Sequence, residues 1–404
     1  MIKIAFLVNT FPTLTEPFVS NKIIGLLKKG YTVDIISGRC DGNEKNTHHE
    51  YNISDHTYYI NVPASKTKRI FTGCVKLFRY LFSHPRVVFN FFILLRGFDR
   101  PIAWKYLFSA EIFMEHGHYD IVHCIYGSNG GIGILHKEAG IIDGKLITSF
   151  HGFDMSERIL NSRLYTKLKK KGDLFLPVCN YFKNKLIQYN FPEDKIIVHH
   201  TSININQFKL KERIGEINEV VKILTVGRLT VKKGIEYSIR AIGSLVKKYP
   251  IRYIIIGDGE LREALDHLIK SLDASEYIQL INSVSRDELV KYYISSDILI
   301  APSIATENGN IEGIPNVLKE AMSCGLPVIS TWHSGIPELV RDGKNGYLVP
   351  ERDPEAIAER LEYLINHPDV LPRLARCGRS EVEQRFDSNK LNNHLVDIYK
   401  NVLD

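Results

Sequence analysis

Two glutamates enclose the stretch Glu312-Gly-Ile-Pro-Asn-Val-Leu-Lys-Glu320, and carboxylates so placed can accept hydrogen bonds from paired hydroxyl groups. The stretch reads as a turn feeding a helix over 315–324. Pro315 has the fixed φ and missing N–H that a first helical residue tolerates, and Gly325 can cap the far end. Val317, Ala321 and Cys324 then share the buried face, with Glu320 at its edge and Lys319 and Ser323 directed elsewhere. A partly buried carboxylate needs donors, so a partner for Glu320 is expected. Glu312 lies just before the helix, whose free N–H groups and positive dipole end attract phosphate. At ~1.5 Å rise per residue, the two carboxylates are separated by roughly a diphosphate and part of its substituents. That is the span a nucleotide sugar requires. When the pair is taken alone, an ordinary amphipathic helix with a surface Glu is the better account of it.

Other residues able to do chemistry sit in turns after probable strands. Gly227-Arg-Leu-Thr-Val-Lys-Lys-Gly234 follows the strand Lys222–Val226 and places three cations in one turn. Arg228 can grip phosphate as a fork and Lys233 as a point charge, although a solvated basic loop would look the same. Gly257-Asp-Gly259 ends the strand Arg252–Ile256, and Ser283-Val284-Ser285 follows Ile278–Ile281. His151 ends the strand Lys145–Phe150, and Gly152 behind it permits close approach of a ligand. A packed or surface histidine is the competing reading. No Walker loop occurs, and no Gly-x-Gly-x-x-Gly follows the first strand of either half.

The elements that position these turns alternate strand with helix, which predicts parallel sheets with ligands at the strands' C-terminal ends. In the first half the strands fall at 2–8, 32–37, 120–126, 145–150, 174–178 and 195–200. The glycines at 127, 130, 131 and 133 read as a permissive turn opening a short helix. The polar segment 204–219 marks a boundary, and the loops at 227, 257, 283 and 312 then share one rim. A last apolar pattern, Leu391, Leu395, Ile398 and Val402, predicts a C-terminal helix capped by Asp387 or Ser388.

The 404 residues exceed one ordinary core, and 44% hydrophobic with 24% charged residues excludes disorder. A net charge of +6 does not imply a nucleic-acid partner. The six cysteines occur singly, without metal-ligand spacing, and read as reduced thiols of a cytosolic protein; the apolar N-terminus reads as a strand, not a signal peptide. Between 65 and 100, Lys66, Lys68, Arg69, Lys76, Arg79, Arg86 and Arg96 alternate with aromatic residues. Such helices can lie on an anionic membrane surface, or can form a packed layer with a basic rim. The apolar run 87–95 is far short of the ~20 residues a membrane span needs.

Taken together, Gly-Arg-Leu-x-x-x-Lys-Gly at 227–234, Gly-Asp-Gly at 257–259, Glu-x7-Glu at 312–320 and Gly-Ile-Pro-Glu at 335–338 resemble the retaining glycosyltransferases of family 4. Phe11-Pro-Thr-Leu-Thr-Glu16, His151-Gly-Phe-Asp154 and Glu312-Gly-Ile-Pro315 are similar to the exopolysaccharide (colanic-acid type) branch. The resemblance implies a GT-B fold: two Rossmann-like, doubly wound α/β domains facing a central cleft. Residues 1–203 would bind the acceptor and 204–386 the nucleotide sugar, with the helix 387–404 packing back on the first domain. Arg228 and Lys233 would hold the diphosphate, Glu320 the ribose, Glu312 the sugar hydroxyls and His151 the reacting sugar and phosphate region. Gly257, Val284, Gly313, Ile314, Asn316 and Val317 complete the implied donor site. Two departures stand out. Pro315 removes an N–H donor from the family's Glu-Gly-x-Gly turn, and the first loop lacks a Gly-Gly pair, bearing on phosphate contacts from Thr13 to Glu16.

The implied enzyme moves a hexose from a UDP- or GDP-sugar to a growing, lipid-linked polysaccharide with retention of configuration. It needs no metal or other cofactor, and works in the cytoplasm or peripherally at the inner face of the plasma membrane. A nucleotide-sugar epimerase or hydrolase of the same fold, and a silent nucleotide-sugar-binding module, are the alternatives.

Overall fold

A computed structural model describes residues 2–13, 16–40, 53–96, 100–213, 215–217 and 219–404. The chain forms two compact units. The first comprises Met1–Val178, Lys183–His199 and Asn392–Asp404, and the second Cys179–Phe182 and His200–Leu391.

In chain order the first unit contributes β1 (Lys3–Val8), α1 (Pro17–Leu27), β2 (Thr32–Ser37), β3 (Thr57–Tyr59), α2 (Lys66–Ser83), α3 (Pro85–Arg96), α4 (Arg100–His116), β4 (Ile121–Ile125), α5 (Gly127–Glu138), β5 (Lys145–Phe150), α6 (Glu157–Leu160), α7 (Arg163–Lys171) and β6 (Leu174–Pro177), and most of α8 (Asn180–Gln188). All strand pairings are parallel, in the order β3-β2-β1-β4-β5-β6. The near-continuous apolar runs of β1 and β4 reflect a sheet covered on both faces. The order reverses between β1 and β4, opening a crevice at their C-terminal ends.

The four glycines of α5 do not make a turn. A Cβ on Gly131 would lie 2.2 Å from Leu164 and one on Gly133 2.5 Å from Leu146. They allow the helix to lie close on α7 and β5. The expected strand at 195–200 is reduced to a bridge between Ile196 and Phe175, although Ile197 N–H and His199 N–H still donate to Phe175 O and Pro177 O along β6.

The second unit holds β7 (Val221–Val226), α9 (Ile235–Leu245), β8 (Ile251–Ile256), α10 (Arg262–Ser271), β9 (Ile278–Ile281), α11 (Arg286–Ser295), β10 (Ile298–Ala301), α12 (Asn316–Ser323), β11 (Val328–Thr331), β12 (Tyr347–Val349), α13 (Pro354–Asn366) and α14 (Leu371–Arg385). Its parallel sheet runs β12-β11-β10-β7-β8-β9, reversing between β7 and β10. The final helix α15 (Ser388–Leu403) is capped by Asp387, whose Oδ1 accepts from Asn389 N–H at 3.0 Å and Lys390 N–H at 3.2 Å. Its buried Leu395, Ile398 and Tyr399 pack in one core with Ile4, Phe6 and Ile23 of the first unit.

Candidate active site

At the rim of the second sheet the chain must turn sharply after β7. Gly234 adopts φ +60°, and a Cβ there would stand 2.0 Å from Pro302 O. One at Gly257 would stand 1.9 Å from Gly227 O. The two glycine turns therefore nest backbone against backbone, which no larger residue permits. Ser283 N–H donates to Asp258 Oδ2 at 3.2 Å and ties the loop bearing Val284 to the same turns. Lys233 folds back over Gly227, its Cε 3.4 Å from where a Cβ would lie.

Lys233 ends beside Glu312, with Nζ 3.3 Å from Oε1, and Lys232 Nζ is closer at 2.9 Å. Burial alone would raise the Glu312 pKa, but attraction to Lys233 and Lys232 prevails and holds it down at about 2. The carboxylate is thus ionised throughout the physiological range. Its main-chain N–H donates to His333 Nε2 at 3.1 Å, so the proton of this imidazole lies on Nδ1, which donates to Glu351 Oε1 at 2.6 Å. Glu351 Oε2 in turn accepts from Ala305 N–H at 2.8 Å. This relay fixes both ends of the loop between β10 and α12.

The helix α12 begins at Asn316, with Pro315 as its N-cap residue at φ −57° and ψ 131°, one residue later than the sequence suggests. Gly325, at φ +69°, follows its C-cap. The whole helix is more enclosed than amphipathic spacing implies. Glu320 is buried and accepts from Tyr293 Oη at 2.8 Å, supplying the expected donor. Lys319 does not point to solvent: it is fully buried and donates to Thr201 O at 2.7 Å and Thr201 Oγ1 at 2.6 Å. Burial pushes its pKa down to about 7 despite the neighbouring Glu320. Ser323 is also buried, while Val317 is only half-buried.

Lys233, Pro315 and Val317 line one small cavity at the head of β7 and β10. Arg228 is exposed and faces a wider hollow together with Lys232, Thr306 and Asn310. The structure therefore brings Gly257, the Val284 loop, Lys233, Glu312 and the start of α12 into one connected rim. Gly313 and Ile314 lie between Glu312 and α12, and Ile314 is buried. Glu320 and Tyr293 form a second acidic point further along α12. Tyr293, His333 and Glu351 escape sequence reasoning, which also sends Lys319 away from the buried side and gives Lys232 no role of its own. For Lys232 a signal existed, as a second lysine in the same turn; the others are set by tertiary contacts.

His151 belongs to the first unit. It is buried, stacks on Phe18 with ring centroids 4.7 Å apart, and lies 5.0 Å from the Tyr126 ring. Its N–H donates to Asp154 Oδ2 at 3.0 Å, while Asp154 Oδ1 accepts from Gly127 N–H at 3.0 Å and Tyr165 Oη at 2.6 Å. Burial raises the Asp154 pKa to about 6 against these three donors. Tyr126 adopts φ +76°, an uncommon conformation for a tyrosine, and its hydroxyl donates to Glu16 Oε1. His151 is thus held at the C-terminal ends of β4 and β5. Of the Thr13–Glu16 segment, Leu14 and Thr15 lie outside the described residues.

Two doubly wound parallel units, each with candidate residues at the strands' C-terminal ends, make this a GT-B fold. Residues 16–207 match Glycosyltransferase Family 4 and residues 206–381 match Glycosyl transferases group 1. The chain is 32% identical to the amylovoran biosynthesis glycosyltransferase AmsK of Erwinia amylovora, over 98% of this chain and 99% of that one. It is 30% identical, over 98% and 99%, to WcaL of Escherichia coli (strain K12), which carries the name of a colanic acid biosynthesis glycosyltransferase. Its fold matches that of HepE of Anabaena, solved in complex with UDP-glucose, with a TM-score of 0.76 at 17% identity over 99% and 100% of the chains. The chain belongs to glycosyltransferase family 4 and is a glycosyltransferase.

Proposed function

We propose that this enzyme transfers a hexose from a nucleotide diphosphate sugar to a growing, lipid-linked glycan of an exopolysaccharide, with retention of anomeric configuration, at the cytoplasmic face of the membrane. The observation that carries the reading is the ion-paired Glu312 beside Lys232 and Lys233 at the switch point of the second sheet. Lys232 and Lys233 both contact the one carboxylate of Glu312, so this pair leaves one positive charge over for a diphosphate. Glu312, ionised and anchored by its N–H, accepts from sugar hydroxyls and favours the positive charge that develops on the sugar. Glu320 accepts from ribose hydroxyls while Tyr293 holds its other bond. The cations replace a divalent ion as the counter-charge of the leaving diphosphate, and His151 serves the reacting sugar and phosphate region.

The names of AmsK and WcaL support an exopolysaccharide product, and UDP-glucose bound to HepE supports a nucleotide-sugar donor. Among the described residues no helix is long and apolar enough to cross a membrane; peripheral contact is supported instead by the exposed aromatic residues of α2 and α3. The test is incubation of the purified protein with a panel of UDP- and GDP-hexoses and a lipid-linked acceptor extract, with the anomeric configuration of the product read by NMR. An acceptor-dependent product retaining the donor's configuration is expected. An inverted product, or donor consumption indifferent to acceptor, contradicts the proposal.

A further inference from the structure

The C-terminal ends of β1 and β2 overhang a cavity of about 990 Å³ in the first unit. Five cations line it: Arg39 after β2, Lys66 and Arg69 in the first turn of α2, and Arg100 and Lys105 on α4. Among the described residues no Asp or Glu lines it. This charge is held in place. Arg69 Nε and Nη2 donate to Pro63 O at 2.8 Å and Ala64 O at 2.9 Å. Lys105 Nζ donates to Asn9 Oδ1 at 2.8 Å and Asn129 Oδ1 at 2.7 Å, so its partners are neutral. Desolvation of that amine, and then the nearby Arg39 guanidinium, push its pKa down to about 8. Like charges held together, with no carboxylate among the described lining residues, favour an anion between them.

Beside Asn9 and Thr10, the remaining wall is largely apolar and includes Ile60, Ile70, Leu95 and Trp104. Ile70 is 57% exposed, and from it an apolar face continues along α2. Phe71, Val75, Phe78 and Phe82 recur at helical spacing and are each more than half exposed, beside Phe89 and Phe92 of α3. Exposed Lys68, Arg86 and Arg96 accompany this face. A contiguous apolar surface of this kind marks an interaction site, and the basic residues match it to an anionic bilayer.

We infer that the cavity holds the phosphate or diphosphate head of a lipid-linked acceptor, while the α2–α3 face rests in the anionic bilayer that carries its apolar chain. The inference rests on the acceptor reading above and adds its site and chemistry. The phosphate recruits the acceptor electrostatically, and the exposed phenylalanines receive the chain as it leaves the lipid.

Trp104 lines the cavity, and the chain's other tryptophan is Trp332. In a Trp332→Phe protein, Trp104 emission is titrated with farnesyl diphosphate, inorganic diphosphate and farnesol, and UDP binding is followed separately by calorimetry. Farnesyl diphosphate should shift the emission saturably, with inorganic diphosphate and farnesol each at least about tenfold weaker. Arg39→Ala with Arg100→Ala should weaken farnesyl diphosphate at least about tenfold and leave UDP affinity and the melting temperature unchanged. Phe71→Ser with Phe78→Ser should abolish cosedimentation with phosphatidylglycerol vesicles, and phosphatidylcholine vesicles should not capture the parent. Inorganic diphosphate binding as tightly as farnesyl diphosphate would mean a site for free anion, and unchanged binding by the double arginine variant would remove the pocket; either overturns the inference. Farnesyl diphosphate binding with no UDP binding supports the pocket and strikes the donor reading instead.

Discussion

Lys232 Nζ lies 2.9 Å from Glu312 Oε1, nearer than Lys233 Nζ at 3.3 Å, so two adjacent lysines share one carboxylate. Consecutive residues usually diverge; here the two long side chains leave the 3-10 turn at Val231–Lys233 and reach the same carboxylate oxygen. The pair leaves the turn cationic and keeps Glu312 ionised.

Stability should report this pairing. The folded pKa of Glu312, about 2, lies below its ordinary 4.5. Its contribution is therefore fully present above pH 4.5 and lost as the pH falls toward 2, with an upper bound of roughly 3 kcal/mol. Urea unfolding of the parent and Glu312→Gln at several pH values should show a gap that closes over that interval. A gap independent of pH would mean that the ion pair does not stabilise the fold.

His333 touches the Glu312 backbone, not its carboxylate, and so acts as a positioning residue. Its replacement by Ala should lower kcat by on the order of 10²-fold through misplacement of Glu312, while the KM for donor changes little. Glu351→Gln alone, which keeps His333 and leaves an acceptor for its Nδ1–H, should lose much less. A change in KM alone, or a melting temperature so low that the rate loss follows unfolding, would count against positioning.

Transfer should persist in excess chelator, because Arg228, Lys232 and Lys233 supply the counter-charge of the diphosphate. Initial rates with and without EDTA, then with Mg2+ or Mn2+ restored, check this. Loss of activity reversed by either ion would refute it.

Much of this architecture can be read from the chain. The alternation of apolar runs with helical spacing predicts both parallel sheets, and glycine-flanked turns predict which loops meet at the second rim. What could not be read is set by packing between distant segments. Lys319 looks like a surface residue by helical spacing, yet Thr201, far away in sequence, supplies its two acceptors. Tyr293, 27 positions before Glu320, satisfies that carboxylate. The glycines of α5 are the same case reversed: their composition suggests a turn leading into a short helix, but they lie within the helix, where Leu164 and Leu146 leave no room for side chains at Gly131 and Gly133. Glycine content identifies close backbone approach without telling a turn from a packed helix.

The division of work between the two glutamates is the centre of this account. Glu320→Ala should weaken UDP or GDP, whichever the parent binds, by about 1–3 kcal/mol, since a hydrogen bond to a charged group is lost. Tyr293→Phe serves as the companion variant, removing the donor to Glu320 while keeping the carboxylate. Glu312→Ala frees Lys232 and Lys233 and should bind the nucleotide diphosphate at least as tightly as the parent, yet turn over far more slowly at saturating donor. The deciding measurement is calorimetric titration of the nucleotide diphosphate into each glutamate variant, paired with initial rates at saturating donor. Weakened binding in Glu320→Ala with lost turnover in Glu312→Ala is the predicted result; equal losses of nucleotide affinity in both, or normal turnover in Glu312→Ala, would contradict it.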